Sequence, residues 1–221
     1  MWRQAHHRQR AHFVTMAVAV GVGLVCLGHS GWIYTKAFIA QQLIGAAWQR
    51  VQAGQIDVKP WSWADTRPVA KLTLAHGLRA LLVLEGSSGR NLAFGPVHDP
   101  ASVLPGQLGN SVIEGHRDTH FSALRDLRLG DRVGIELPDG RRASFAVAHL
   151  QVVDSRRSRI VLDSEAPRLT LVTCYPFDAI RPGGPLRYVV TADWIGPTPP
   201  GRGGSPGDKR GERTSGPTGP T

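Results

Sequence analysis

The 221-residue sequence predicts a small all-β domain, a closed barrel or a sandwich, carried behind one N-terminal apolar helix. Three observations lead there. Between Val69 and Ile195 the chain falls into short runs of Val, Leu and Ile separated by Gly, Pro, Asn and Asp, as strands joined by turns do. Helical periodicity is sparse in that stretch, which favours an all-β layout over a βαβ fold. Ahead of it lies one uncharged segment long enough to cross a bilayer.

Residues 1–12 form a basic segment with Arg3, Arg8 and Arg10 and no acid. Residues 13–33, FVTMAVAVGVGLVCLGHSGWI, run for 21 residues without a formal charge, enough for a helix to span a hydrocarbon core of ~30 Å. The basic flank on one side and Trp32 and Tyr34 on the other predict a cytoplasmic N-terminus. A cleaved signal peptide would need a shorter apolar core and a small-x-small site close behind it. The first such pattern, Gly45-Ala46-Ala47, lies far downstream, which favours an uncleaved anchor.

Residues 34–65 read as a helix and a linker. Phe38, Ile39, Gln42, Leu43, Ala46 and Ala47 recur at helical spacing up to Val51. Gly54, Pro60, Trp61 and Trp63 then mark the linker, its tryptophans suited to a membrane interface or to the domain's edge. The barrel domain is expected over 66–196. Its strands are expected at 70–74, 80–84, 110–114, 132–137, 143–153, 168–173 and 186–194, with a helical turn at 123–127. Pro138-Asp139-Gly140 is a hairpin signal between two of them. Residues 197–221 hold six prolines and seven glycines and almost no large apolar side chain, so burial cannot offset chain entropy and a disordered tail is expected.

The formal charge of +9 raises a nucleic-acid partner. The first twelve residues hold +3 and 197–221 hold +2, leaving +4 on the remainder, where Asp118, Asp126, Asp131, Glu136 and Asp139 are mixed among arginines. No basic face emerges, and no nucleic-acid partner is expected.

Two cysteines occur, and Cys26 falls inside the apolar span. Cys174 is therefore the one thiol of the expected extracytoplasmic domain. It is a partner in an intermolecular disulfide, a thiol kept free for chemistry, or a buried small hydrophobe. The segment RLTLVTCYPF puts it where a strand meets Tyr175-Pro176, because proline stops the ladder. A cysteine nucleophile needs a nearby base or cation, since the free thiol is mostly protonated at neutral pH. Of nine histidines, His116 in SVIEGHRDTHF follows a short apolar strand and a glycine. His120, four residues on, would pair with it on a metal helix, but the strand pattern gives little sign of one and no metal or cofactor is expected. Arg187 opens a strand thirteen residues after Cys174. Taken alone it would be a surface residue, yet a fixed guanidinium is also what a developing oxyanion needs.

Gly115-His116-Arg117-Asp118-Thr119, Thr170 through Phe177 (TLVTCYPF) and Leu186-Arg187-Tyr188-Val189-Val190 together resemble the histidine, cysteine and arginine signatures of the sortase family, in the family's order. Gly95 to His98 and Leu104 to Asn110 resemble the loop and strand before the family's histidine. Lys59 to Asp65 is similar to the Gram-negative group, class GN. The resemblance spans roughly residues 30–196. It implies an eight-stranded closed β-barrel and a membrane-anchored cysteine transpeptidase that cleaves an LPxTG-like C-terminal sorting signal on a secreted protein. Cys174 would form the thioester, His116 would be the general acid and base, and Arg187 would hold the carbonyl or oxyanion. Thr173 matches a position that can assist the oxyanion. His120 is a secondary substrate-binding candidate, and His98 matches no catalytic position. An amine acceptor in the cell envelope would resolve the thioester; a periplasmic peptidase in which water does so, and a non-catalytic adaptor, are the alternatives. The implied location is the inner membrane, with the barrel in the periplasm.

Overall fold

Alternation of apolar residues along short runs gives each strand one face for a core, and closing the sheet removes its exposed edges. The computed structural model, which describes residues 2–75, 80–86, 88–179, 181 and 183–196, is built this way. One helix, α1 (Trp2–Gln52), precedes eight strands: β1 (Pro68–Thr73), β2 (Ala80–Glu85), β3 (Val97–His98), β4 (Gly109–Glu114), β5 (Arg132–Glu136), β6 (Arg142–Asp154), β7 (Pro167–Cys174) and β8 (Leu186–Gly196). They close a barrel in the order β1-β2-β3-β4-β7-β8-β6-β5. β4 pairs parallel with β7 and β2 with β3; every other pair is antiparallel.

The barrel interior holds Leu72, Val83, Ile113, Phe121, Val133, Ile135, Phe145, Leu169, Leu171 and Val190, all essentially inaccessible to solvent. Each such side chain contributes about 1.5–3 kcal/mol by leaving water. A second, smaller cluster lies on the outer face of β4, β7 and β8, where Val112, Val172 and Val189 pack with Val153 and Leu162. The β6–β7 connection covers that face: Asn110 donates its backbone N–H to Leu162 O at 2.8 Å and its side-chain amide to Val161 O at 2.8 Å. Thr170 Oγ1 donates to Asn110 Oδ1 at 2.8 Å, so the buried amide is satisfied on both ends.

The C-terminal third of α1 docks on the barrel through Ala40, Ile44, Ala47 and Trp48, one buried helical face. Ile44 meets Leu84 and Val97, joined by Trp61 and Phe94, whose rings meet edge to face at 5.3 Å. Trp61 thus covers the domain's edge, whereas Trp63 is exposed. Gln41 donates to Phe94 O at 2.6 Å and Gln52 to Glu136 Oε1 at 2.7 Å. Further up, Val18, Val20, Val22, Leu24, Val25 and Leu27 have no protein cover. From Val18 to Gln52 the helix is long and apolar enough to cross a membrane by length and composition.

The expected strand positions differ from these bounds by one or two residues. β3 was not expected as a strand; at two residues it is too short for any alternation to register. The expected span and the following helix form one continuous α1, since neither Pro nor a turn signal interrupts Tyr34-Thr35-Lys36. The expected turn at 123–127 is a 3₁₀ turn at Ser122–Asp126, and another occupies Asn91–Ala93. Residues 197–221 lie outside the described residues.

Candidate active site on the outer barrel face

Cys174 is the last residue of β7, partly exposed, and the chain leaves the sheet through Tyr175-Pro176. By strand alternation it shares the outer face with Thr170 and Val172. Its Cα partner across the β7–β8 ladder is Arg187. On the other side Val172 pairs with Glu114, the last residue of β4. His116 lies two residues beyond Glu114, as Cys174 lies two residues beyond Val172, so the histidine turn and the thiol leave neighbouring strands at the same level. His116 is exposed. Among the described residues no side-chain hydrogen bond joins it to Cys174.

The histidine turn is held from below. Gly115 N–H donates to Val172 O at 3.0 Å, and Thr173 Oγ1 donates to Gly115 O at 2.7 Å. Thr173 points inward, 2 % exposed, so its hydroxyl supports this turn from the barrel side. His116 O accepts the backbone N–H of Phe121 at 2.9 Å, closing the loop over the buried Phe121 ring. His120 sits within the same loop, partly buried, its Nδ1 3.2 Å from Thr119 Oγ1. His98 is buried behind the site, with Nε2 2.9 Å from Val103 O and 3.2 Å from Ser102 Oγ. That network stitches the β3–β4 connection and leaves His98 away from the thiol's face.

Arg187 donates from Nη1 to Gly184 O at 2.7 Å and to Leu186 O at 2.9 Å, which ties the guanidinium to the chain where it enters β8. It also acts on Glu114. Burial raises the Glu114 carboxyl above its ordinary range, the charge of Asp99 adds to the rise, and Arg187 opposes it. A carboxylate therefore stands on the same face as the thiol and the arginine. Tyr175, Phe177 and Tyr188 cluster beside Cys174, with ring centroids 5.2–6.3 Å apart, and Arg125 lies 5.2 Å from the Phe177 ring. Burial, with Tyr175 second, raises the Tyr188 hydroxyl.

Two features near these elements were not legible in the sequence. Arg117 is 7 % exposed and donates to the backbone of the Cys174 loop; its only signal was its place beside His116. The second is a concavity of about 650 Å³ between the end of α1, β1 and the β3–β4 and β5–β6 connections, walled by Val51, Val58, Val69, Leu104 and Leu137. It contains no thiol and no histidine, and Cys174 is not among the residues that line it. Among the described residues no cluster of three or more His, Cys, Asp or Glu is arranged to hold a metal ion.

An outer-face strand-end cysteine beside a histidine turn and a strand-start arginine can carry out acyl transfer: a nucleophile, a proton carrier and a cationic clamp. Residues 75–195 match the model of the sortase domain. Sortase D of Bacillus subtilis is 32 % identical over 111 residues, half of this chain and 55 % of that protein. The chain thus spans about half the length of the curated relative it matches. Sortase A from Corynebacterium diphtheriae superposes with a TM-score of 0.54 at 24 % identity, covering 62 % of this chain and 65 % of that one. A Clostridium perfringens sortase D5 transpeptidase does so with a TM-score of 0.51 at 24 % identity, covering 59 % and 80 %. These two likenesses concern the fold, and the match of the domain model over more than half the chain carries the assignment: this protein belongs to the sortase family.

Proposed function

We propose that this chain is a membrane-anchored cysteine transpeptidase whose catalytic domain, residues 66–196, cleaves an LPxTG-like C-terminal sorting signal and transfers the protein to an amine. The observation that carries the reading is the pairing of Cys174 with Arg187 across β7–β8, beside the histidine turn that leaves β4 at the same level. The Cys174 thiolate attacks the scissile carbonyl, and Arg187 stabilises the resulting oxyanion. The tetrahedral species collapses to a thioester as His116 gives a proton to the leaving amine. The acceptor amine then attacks the thioester, its surplus proton passes to His116, and the thiolate departs. Thr173 supports the histidine turn, and His120, four residues after His116 in the same loop, is the secondary residue for substrate contact.

The bare apolar surface of α1, with Arg3, Arg8 and Arg10 ahead of it, supports a single span at 13–33 with the N-terminus inside. Lys59 to Asp65 supports a Gram-negative inner membrane with the barrel in the periplasm.

The test is a sorting-signal peptide incubated with the purified domain, with and without amine acceptors. Cys174→Ala is expected to abolish cleavage, His116→Ala to lower kcat by about 10²–10⁴-fold and Arg187→Ala by roughly 10²–10³-fold. Cleavage by Cys174→Ala at the wild-type rate would refute the mechanism. Hydrolysis alone under every acceptor condition would replace transfer by peptidase action.

A further inference from the structure

An arginine normally keeps its guanidinium in water. Arg117 does not: it is 7 % exposed although it directly follows His116 in a surface loop. Its Nη1 donates to Pro176 O at 2.8 Å and its Nη2 to Ala179 O at 2.7 Å, while Nε lies 3.2 Å from Asp118 Oδ1. Asp118 is 69 % exposed, so this pair contributes little to holding the cation. The two carbonyls belong to one turn, closed by Ala179 N–H on Pro176 O at 3.3 Å, two to five residues past the thiol. A planar fork fits two carbonyls set side by side; a lysine ammonium, a point donor on a flexible stem, does not span them with the same geometry.

His116 is thereby bracketed. On its N-terminal side Gly115 is bound to β7 through Val172 O and the Thr173 hydroxyl. On its C-terminal side Arg117 is bound to the loop that follows Cys174. The β4–β7 ladder ends at Glu114, so these ties are what continue the connection beyond it. We propose that Arg117 is a positioning residue that fixes the His116 turn against the Cys174 loop and so sets the approach of imidazole to thiol. This rests on the assignment of Cys174 and His116 above.

The experiment compares Arg117→Ala, Arg117→Lys and Asp118→Ala with wild type and with Cys174→Ala, using peptide cleavage and the pH dependence of Cys174 alkylation. Arg117→Ala is expected to lower kcat by about 10²-fold, the loss a displacement of about 1 Å can cause, with KM nearly unchanged. It should also shift the alkylation profile, a readout that mere loss of stability would not move. Arg117→Lys should fall between, and Asp118→Ala should match wild type. Folded Arg117→Ala with wild-type kcat and alkylation profile overturns the clamp. Should Arg117→Ala aggregate, Arg117→Lys decides by the same two readouts, a wild-type result again overturning it. An active Cys174→Ala would instead strike the underlying assignment, so the two failures are told apart.

Discussion

Gly115 is the position where a single added methyl group should be felt most. A Cβ built there would stand 2.7 Å from both Cγ and Cδ2 of Phe121 and 3.0 Å from Cδ1. Ordinary carbon contacts begin near 3.5 Å, so the ring or the turn must give by most of an ångström. The ring has nowhere to go, because Phe121 is fully buried within the barrel core. Overpacking of this kind costs about 1–3 kcal/mol, while replacing glycine by alanine returns about 0.4–1 kcal/mol by restricting the unfolded chain. The net expectation for Gly115→Ala is a loss of about 1–2 kcal/mol, which for a barrel of this size lowers Tm by roughly 3–10 °C. Thermal and urea denaturation of the domain would measure it, with Gly89→Ala, where nothing lies within 4 Å, as control. The companion change Phe121→Leu should recover part of the loss, making the pair non-additive. A Gly115→Ala protein that melts at or above the wild-type temperature would refute the close packing of the histidine turn on the Phe121 ring.

Two further outcomes follow from the outer face. Asn110→Ala leaves the Val161 carbonyl and the Thr170 hydroxyl without their partner, a loss of about 1–3 kcal/mol expected in urea denaturation, while the backbone tie from residue 110 to Leu162 O remains. Burial and Asp99 raise the folded-state Glu114 carboxyl above 4.5, so the folded protein holds that proton more tightly than the unfolded chain. Stability from this group is accordingly full below the unfolded value and declines as pH rises from there through the folded value. Glu114→Gln should therefore gain on wild type in urea midpoint between pH 4 and pH 7, and a midpoint difference that does not change with pH would remove Glu114 from the account.

The sequence made the strand end at Cys174 visible because Pro176 stops the ladder and because Cys26 falls in the apolar span. Most strands were visible from apolar runs bounded by turn residues. β4 could be seen as a strand, but its two-sided burial could not: GNSVIE reads as a weakly alternating run, and only its parallel pairing and the covering β6–β7 connection explain why both faces are dry. β3 was hidden because two residues carry no period. Arg117 was hidden for a different reason. Composition places arginine in water, and nothing local announces two carbonyls supplied from about sixty residues downstream. The proximity of Glu114 to Arg187 likewise depends on the order β4-β7-β8, a matter of topology rather than pattern.

The unbroken course of α1 constrains where the barrel can reach. From residue 33, the end of the span proposed here, to Ala40, the first docked residue, there are seven residues of helix, about 10 Å of rise. A helix has no swivel, and Ile44, Ala47 and Trp48 seat its far end on the barrel wall. The catalytic face would then ride at a set height and heading above the lipid, like a tool on a fixed mast. A client protein tethered in the same bilayer would have to bring its cleavage point to that height, at about 3.3–3.6 Å per extended residue. The spacing between a client's own anchor and its cleavage point would thus become a ruler, sorting clients by length before any side chain is read.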